Sequence, residues 1–118
     1  ITVYKGHTRT STYLDDTCTT LSNIKDNFIT GEVYNIGGNY RHSMEELADI
    51  IWEETGANRD LINYKESEKL TTKDKVVDSS KAQRDLGHKI TVDLREGVKR
   101  TINWLKEYYG NDLHTNNA

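Results

Sequence analysis

Apolar side chains recur three or four positions apart in several stretches of this chain, and each stretch predicts a helix. Leu14, Cys18, Leu21, Ile24 and Phe28 fall on one face of a helix that Asp15 or Asp16 can cap and that ends near Asn27. Met44, Leu47, Ile50 and Ile51 define a second apolar face. It is preceded by Ser43 and Glu46 at capping-box spacing and followed by Gly56 as a stop. Asp93 and Glu96 repeat that spacing before the longest amphipathic run, Leu94, Val98, Ile102, Leu105 and Tyr109, with Trp104 beside the face and Gly110 at its end. A shorter helix runs from the Asp78-Ser79-Ser80 cluster to Leu86, where Gly87 can take a left-handed conformation.

Between these helices the period changes to two. Ile1 to Tyr4, Glu32 to Ile36 and Leu61 to Tyr64 alternate or run apolar and end at turn residues, so each is expected to be a strand, the second closed by Gly37-Gly38. Lys65 to Lys75 is charged, rich in threonine and without period, and is expected to be a loop. The predicted order is strand, helix, strand, helix, strand, helix, helix. That is an α/β domain in which helices cover a small mixed sheet over residues 1–110, with a polar tail at 111–118.

Composition narrows the partners. With 118 residues the chain suits one core, and 34% apolar against 30% charged residues with no proline describes a polar but foldable domain. A formal net charge of -3 without a basic block argues against nucleic acid. No apolar run approaches the roughly 20 residues of a bilayer span. One cysteine, Cys18, permits no internal disulfide, so a reducing, cytoplasmic setting is expected. His7, His42, His88 and His114 lack ligand spacing and read as scattered surface residues, not a zinc site.

Three motifs carry more information than the pattern alone. Gly6-His7-Thr8-Arg9 is followed by Tyr13-Leu14-Asp15-Asp16; Gly31 to Gly38 is followed by Ser43-Met44-Glu45-Glu46-Leu47-Ala48; and Val77-Asp78-Ser79-Ser80-Lys81-Ala82 leads through Leu86-Gly87-His88 to Asp93 to Val98 and Thr101 to Trp104. In order and spacing they resemble the extended short-chain dehydrogenase/reductases that act on nucleotide sugars as NAD-dependent epimerases and dehydratases. The similarity runs over about residues 1 to 107 and is to the carboxy-terminal, substrate-binding part of that family.

The resemblance implies a ligand, a nucleotide-diphosphate sugar, and a place for it. The arginine matching Arg9 reaches the diphosphate in the family, a task suited to a planar guanidinium that forms paired, charge-assisted bonds. Tyr34, Asn35 and Arg41 are further candidates to face ligand, and Asp16 to cap and position. Many relatives also carry an arginine some ten residues before the aspartate matching Asp78. This chain departs there, reading Glu68-Lys69-Leu70-Thr71-Thr72-Lys73, which leaves Lys69 or Lys73 as the substitute point charge.

The family's redox chemistry needs a glycine-rich dinucleotide turn and a tyrosine four residues before a lysine. None of the seven tyrosines has a lysine there, and Gly37-Gly38 lacks the third glycine. The resemblance therefore implies NAD or NADP for a full-length enzyme, held on a Rossmann half amino-terminal to these residues, with no cofactor bound and no catalytic residue supplied by this segment. A segment of this kind is expected to be inactive alone, and to expose apolar surface toward the absent half that self-association or strand exchange can relieve. The alternative is a free-standing, non-catalytic nucleotide-sugar-binding or interaction module.

Overall fold

The computed structural model describes residues 1–110; the polar tail predicted at 111–118 and His114 lie outside the described residues. Short strands form two separate pairs. Strand β1 (Thr2–Tyr4) runs parallel to a late strand, Asn63–Lys65, with Val3 opposite Tyr64. Strand β2 (Thr8–Thr10) runs antiparallel to β3 (Arg41–Ser43), with Arg9 opposite His42. The Asn63–Lys65 strand, β4, is preceded by a single 3₁₀ turn at Arg59–Leu61, so the predicted strand at Leu61 to Tyr64 forms two residues later than its apolar run. β3 has no alternating signature of its own. It exists because β2 supplies a ladder, a long-range cause that a local pattern does not carry.

Four helices complete the domain: α1 (Leu14–Asn27), α2 (Met44–Thr55), α3 (Ser80–Leu86) and α4 (Leu94–Tyr109). The local stop and start signals behave as expected. Ser43 Oγ accepts from the Glu46 N–H at 2.9 Å and an Asp93 carboxylate oxygen from the Glu96 N–H at 2.8 Å. Gly56 and Gly87 close α2 and α3 in the left-handed region, at φ of 64° in each case. The reciprocal half of the α2 capping box is absent, since Glu46 Oε1 instead accepts from the Tyr40 hydroxyl at 2.8 Å.

Three expectations are overturned. Neither Asp15 nor Asp16 caps α1; Tyr13 occupies that position without a side-chain bond. Residues 32–36 form no strand, because among the described residues no second strand pairs with them, and alternation without a partner makes no ladder. Gly37 and Gly38, expected to close that strand as a turn, close no strand and have no positive φ. A Cβ at Gly37 would lie 2.7 Å from Val77 Cγ1, and one at Gly38 only 1.9 Å from the Ser11 carbonyl oxygen, so close approach of neighbouring chain requires glycine at both.

The core is small: Val3, Ala48, Ile50, Ala82, Leu86 and Val92 are its buried apolar residues. α2 and α4 meet through their predicted apolar faces, with Leu47 and Ile51 across from Leu94, Val98 and Ile102 around a cleft of about 330 Å³. α1 does the opposite. Its buried residues are Asp16 and Thr20, whereas Leu14, Leu21 and Phe28 of the predicted core face are 69%, 50% and 55% exposed and Cys18 is exposed too. The Cα radius of gyration is 17.3 Å, against about 13 Å for a compact domain of this length. Among the described residues no helix is long and apolar enough to cross a membrane.

Candidate functional site

The inward face of α1 explains how the segments around the site are held. Burial pushes the Asp16 carboxyl toward its neutral form. The Thr91 hydroxyl and the backbone N–H groups of Thr91 and Val92, at 3.0 and 3.2 Å, outweigh that and hold it below the ordinary aspartate value, with some help from the charge of His88. Asp16 thus positions the segment that enters α4, as expected, but by satisfying distant donors and not those of its own helix. His88 sits beside it, bonded through Nδ1 to Thr20 Oγ1 at 2.7 Å and through Nε2 to the Gly37 carbonyl at 2.9 Å. A carbonyl only accepts, so Nε2 carries a proton.

The surface-histidine reading is therefore wrong for three residues. His7, His42 and His88 are all buried and held by polar partners: Ser67 Oγ at Nε2 of His7, and Ser11 Oγ and the Ser43 carbonyl at the two nitrogens of His42. No sequence spacing signals this, since apart from the Ser43 carbonyl the partners lie dozens of positions away. Among the described residues no group of histidine, cysteine, aspartate and glutamate has the makings of a metal site.

Arg9 projects from β2 onto the loop between β4 and α3. Its Nη1 donates to the carbonyls of Thr8 at 2.6 Å and Lys73 at 3.2 Å, and its Nη2 to that of Thr72 at 3.2 Å. The guanidinium is thereby fixed by neutral acceptors, with its charge uncompensated by these contacts and two of its five N–H groups unused by them. The same loop is stitched to β2 by the Thr8 N–H to Lys73 carbonyl bond, 2.8 Å, and the Lys75 N–H to Thr8 carbonyl bond, 3.2 Å. Arg41, across the ladder, completes the clamp. Its Nη2 donates to Asp74 at 2.6 Å and its Nε to Thr8 Oγ1 at 3.1 Å, while the Thr8 hydroxyl donates to the other Asp74 oxygen. Arg41 is thus neutralised by a carboxylate, unlike Arg9.

The structure brings Arg9, Arg41 and the backbone of Lys73 together; the Lys69 and Lys73 side chains are exposed on the loop. At the tip between them, fully exposed Leu70 has φ of 65°, an unusual conformation for a leucine. Tyr34 and Asn35 lie against α3 instead. The Tyr34 hydroxyl donates to Asp85 at 3.3 Å, with Lys81 5.1 Å from the ring centre, and burial together with the Asp85 charge raises its pKa. Asn35 Nδ2 donates to the Asp78 carbonyl at 3.4 Å, where α3 is about to begin.

Pattern reading missed a polar cleft of about 880 Å³ at the start of α2, whose lining includes Ser11, Tyr40, His42, Glu45 and Arg95 and none of the six predicted ligand residues. Ser11 and His42 share a 2.8 Å bond there. Glu45 Oε1 accepts from the Gly6 N–H at 2.7 Å, while its buried Oε2 has no partner among the described residues. These residues come from elements distant in sequence, and although Glu45 and Arg95 lie within two of the motifs, neither was singled out as a site residue.

No family model matches the chain. Among curated proteins it is 32% identical over 96 residues to the dTDP-glucose 4,6-dehydratase of Streptomyces griseus, covering 81% of this chain and 29% of that protein. To the UDP-glucuronate 4-epimerase of Thermodesulfobacterium geofontis it is 31% identical over 103 residues, 84% of this chain and 30% of the relative. Among solved structures, the UDP-glucose 4-epimerase of Thermotoga maritima with UDP-glucose superposes with a TM-score of 0.81 at 25% identity, over 92% of this chain and 35% of that one. The dTDP-glucose 4,6-dehydratase of Streptomyces venezuelae, a complex that includes NAD, gives 0.80 at 26% over 93% and 35%. The chain belongs to the extended short-chain dehydrogenase/reductase family, in its small mixed α/β part. Within that family its relatives are nucleotide-sugar dehydratases and epimerases, of whose length it spans about a third.

Proposed function

We propose that residues 1–110 are the carboxy-terminal, nucleotide-sugar-binding subdomain of an NAD- or NADP-dependent epimerase or 4,6-dehydratase. In this reading the chain grips the nucleotide diphosphate while a Rossmann half carries the cofactor and the hydride chemistry. The observation that carries it is Arg9: a guanidinium pinned by three backbone carbonyls, with no carboxylate in its bonds, at the position where the motif places a diphosphate ligand. Pre-fixing the fork lowers the entropy lost when an anion binds. Lys73, on the loop Arg9 holds, supplies a second positive charge. Asn35, Tyr34 and Lys69 are weaker ligand candidates, and Arg41 acts by fixing the loop through Asp74.

In the relatives' chemistry a sugar carbon gives hydride to the nicotinamide and a tyrosine takes the proton. This chain's share is binding and orientation. Calorimetric titration of the 118-residue chain with dTDP-glucose and UDP-glucose tests the reading. Arg9→Ala is expected to weaken binding by about tenfold to a hundredfold, as loss of a charge-assisted bond does, and Arg9→Lys to recover only part of it. Equal affinity of wild type and Arg9→Ala, or no binding of either nucleotide sugar, would count against it.

A further inference from the structure

The loop whose carbonyls hold Arg9 is itself held by a carboxylate. Asp74 follows directly after Thr72 and Lys73, the two loop residues that accept from the Arg9 fork. Both of its oxygens are used. One accepts from the Thr8 hydroxyl and the other from Arg41 Nη2 at 2.6 Å, while Arg41 Nε closes the triangle on Thr8 Oγ1 at 3.1 Å. The backbone bonds on either side, Thr8 N–H to the Lys73 carbonyl and Lys75 N–H to the Thr8 carbonyl, make Asp74 the point at which the loop is bridged to β2.

The strand register separates the two arginines. Arg41 is opposite Thr10 and Arg9 opposite His42, so Thr8, Thr10 and Arg41 share one face of the β2–β3 ladder and Arg9 belongs to the other. Asp74 takes up Arg41 on its face and leaves Arg9 to neutral acceptors. The Arg41–Asp74 pair is about half exposed and by itself contributes little to stability. Its geometric effect is larger: it fixes where the carbonyls of Thr72 and Lys73 stand, and so where the guanidinium points before a ligand arrives.

We infer that Asp74 is a positioning residue for the diphosphate site, a carboxylate that raises affinity for an anion by fixing the carbonyls that aim Arg9. The inference rests on the nucleotide-sugar reading and adds to it the sign of the Asp74 contribution. Charge alone predicts the reverse, since removing a carboxylate beside an anion site, and releasing Arg41 from it, strengthens binding if only Coulomb attraction counts.

Calorimetric titration of the 118-residue chain with dTDP-glucose separates the two. Asp74→Ala is expected to weaken binding about threefold to tenfold, the loss that follows from freeing one long side chain. Asp74→Asn, equally neutral but with one acceptor oxygen left, is expected to recover part of that loss. Thr8→Val removes the hydroxyl from the cluster without changing any charge and keeps a β-branched residue in β2. It is expected to weaken binding as well, and it decides the matter if circular dichroism shows Asp74→Ala to be misfolded. In an Arg9→Ala background Asp74→Ala is expected to cost nothing further, because its effect runs through Arg9. Binding by the Asp74→Ala and Thr8→Val chains as tight as wild type or tighter, or a loss of equal size with and without Arg9, would overturn the inference and leave the role of Arg9 standing. No binding by wild type, or indifference to Arg9→Ala, would instead remove the nucleotide-sugar reading and this inference together.

Discussion

α1 and α2 have equally clear amphipathic patterns and opposite fates. In α2 the apolar side turns inward, burying Ala48 and Ile50 and meeting α4, and its polar side is solvated. In α1 the buried side carries Asp16 and Thr20, and the apolar side is open. The period of a sequence identifies a face that is to be covered; it does not say that the same chain covers it. What selects the inward face of α1 is a set of groups needing partners: the N–H groups of Thr91 and Val92, the His88 ring and the Leu86 carbonyl. Leaving such groups buried and unpaired costs more than leaving a leucine wet.

That contrast can be tested by mutating both sides of α1. The largest effect is expected beneath it. Leu86, 1% exposed at the end of α3, loses transfer energy and leaves a cavity when changed to alanine, for about 3 to 4 kcal/mol in urea unfolding. Asp16→Asn comes next, at about 2 to 3 kcal/mol, because an amide presents one acceptor oxygen where three donors converge on two. Its pH dependence has a definite sign. The folded pKa of Asp16 is depressed, so its stabilisation is complete above the unfolded value of about 3.9 and is lost as pH falls through the folded value. Thus wild type should lose stability on acidification below about pH 4 more steeply than Asp16→Asn. Smallest is Leu21→Ser on the open side, expected within about 0.5 kcal/mol. A cost near that of Leu86→Ala would mean that this side is covered within the chain.

The devices legible in the sequence were the local ones. Ser43, Asp93, Gly56 and Gly87 act within four residues of themselves, so type and spacing were enough to foresee the ends of α2, α3 and α4. The three motifs were likewise enough for the family, and Arg9 was singled out from one of them. What failed involved partners far away in the chain. His42 is buried because Ser11 is there; 32–36 is no strand because no partner strand pairs with it; Gly37 and Gly38 are glycines because Val77 and the Ser11 carbonyl press on them. Arg41 is bonded to Asp74, 33 positions away, which no local spacing signals. Each fact depends on tertiary proximity, which single-chain periodicity does not encode.

The loop tip at Leu70 has a different kind of consequence. Ser67 and Glu68 bond to Thr71 across it, and Thr72 to Asp74, just beyond, are clasped by Arg9 and Arg41. Within those bonds the chain touches little and strains one residue. Such a segment can be lengthened, shortened or rewritten in descendants without renegotiating the core, while whatever replaces it is delivered to the same place beside Arg9. A change at Leu70 thus disturbs none of the bonds that hold the loop to β2.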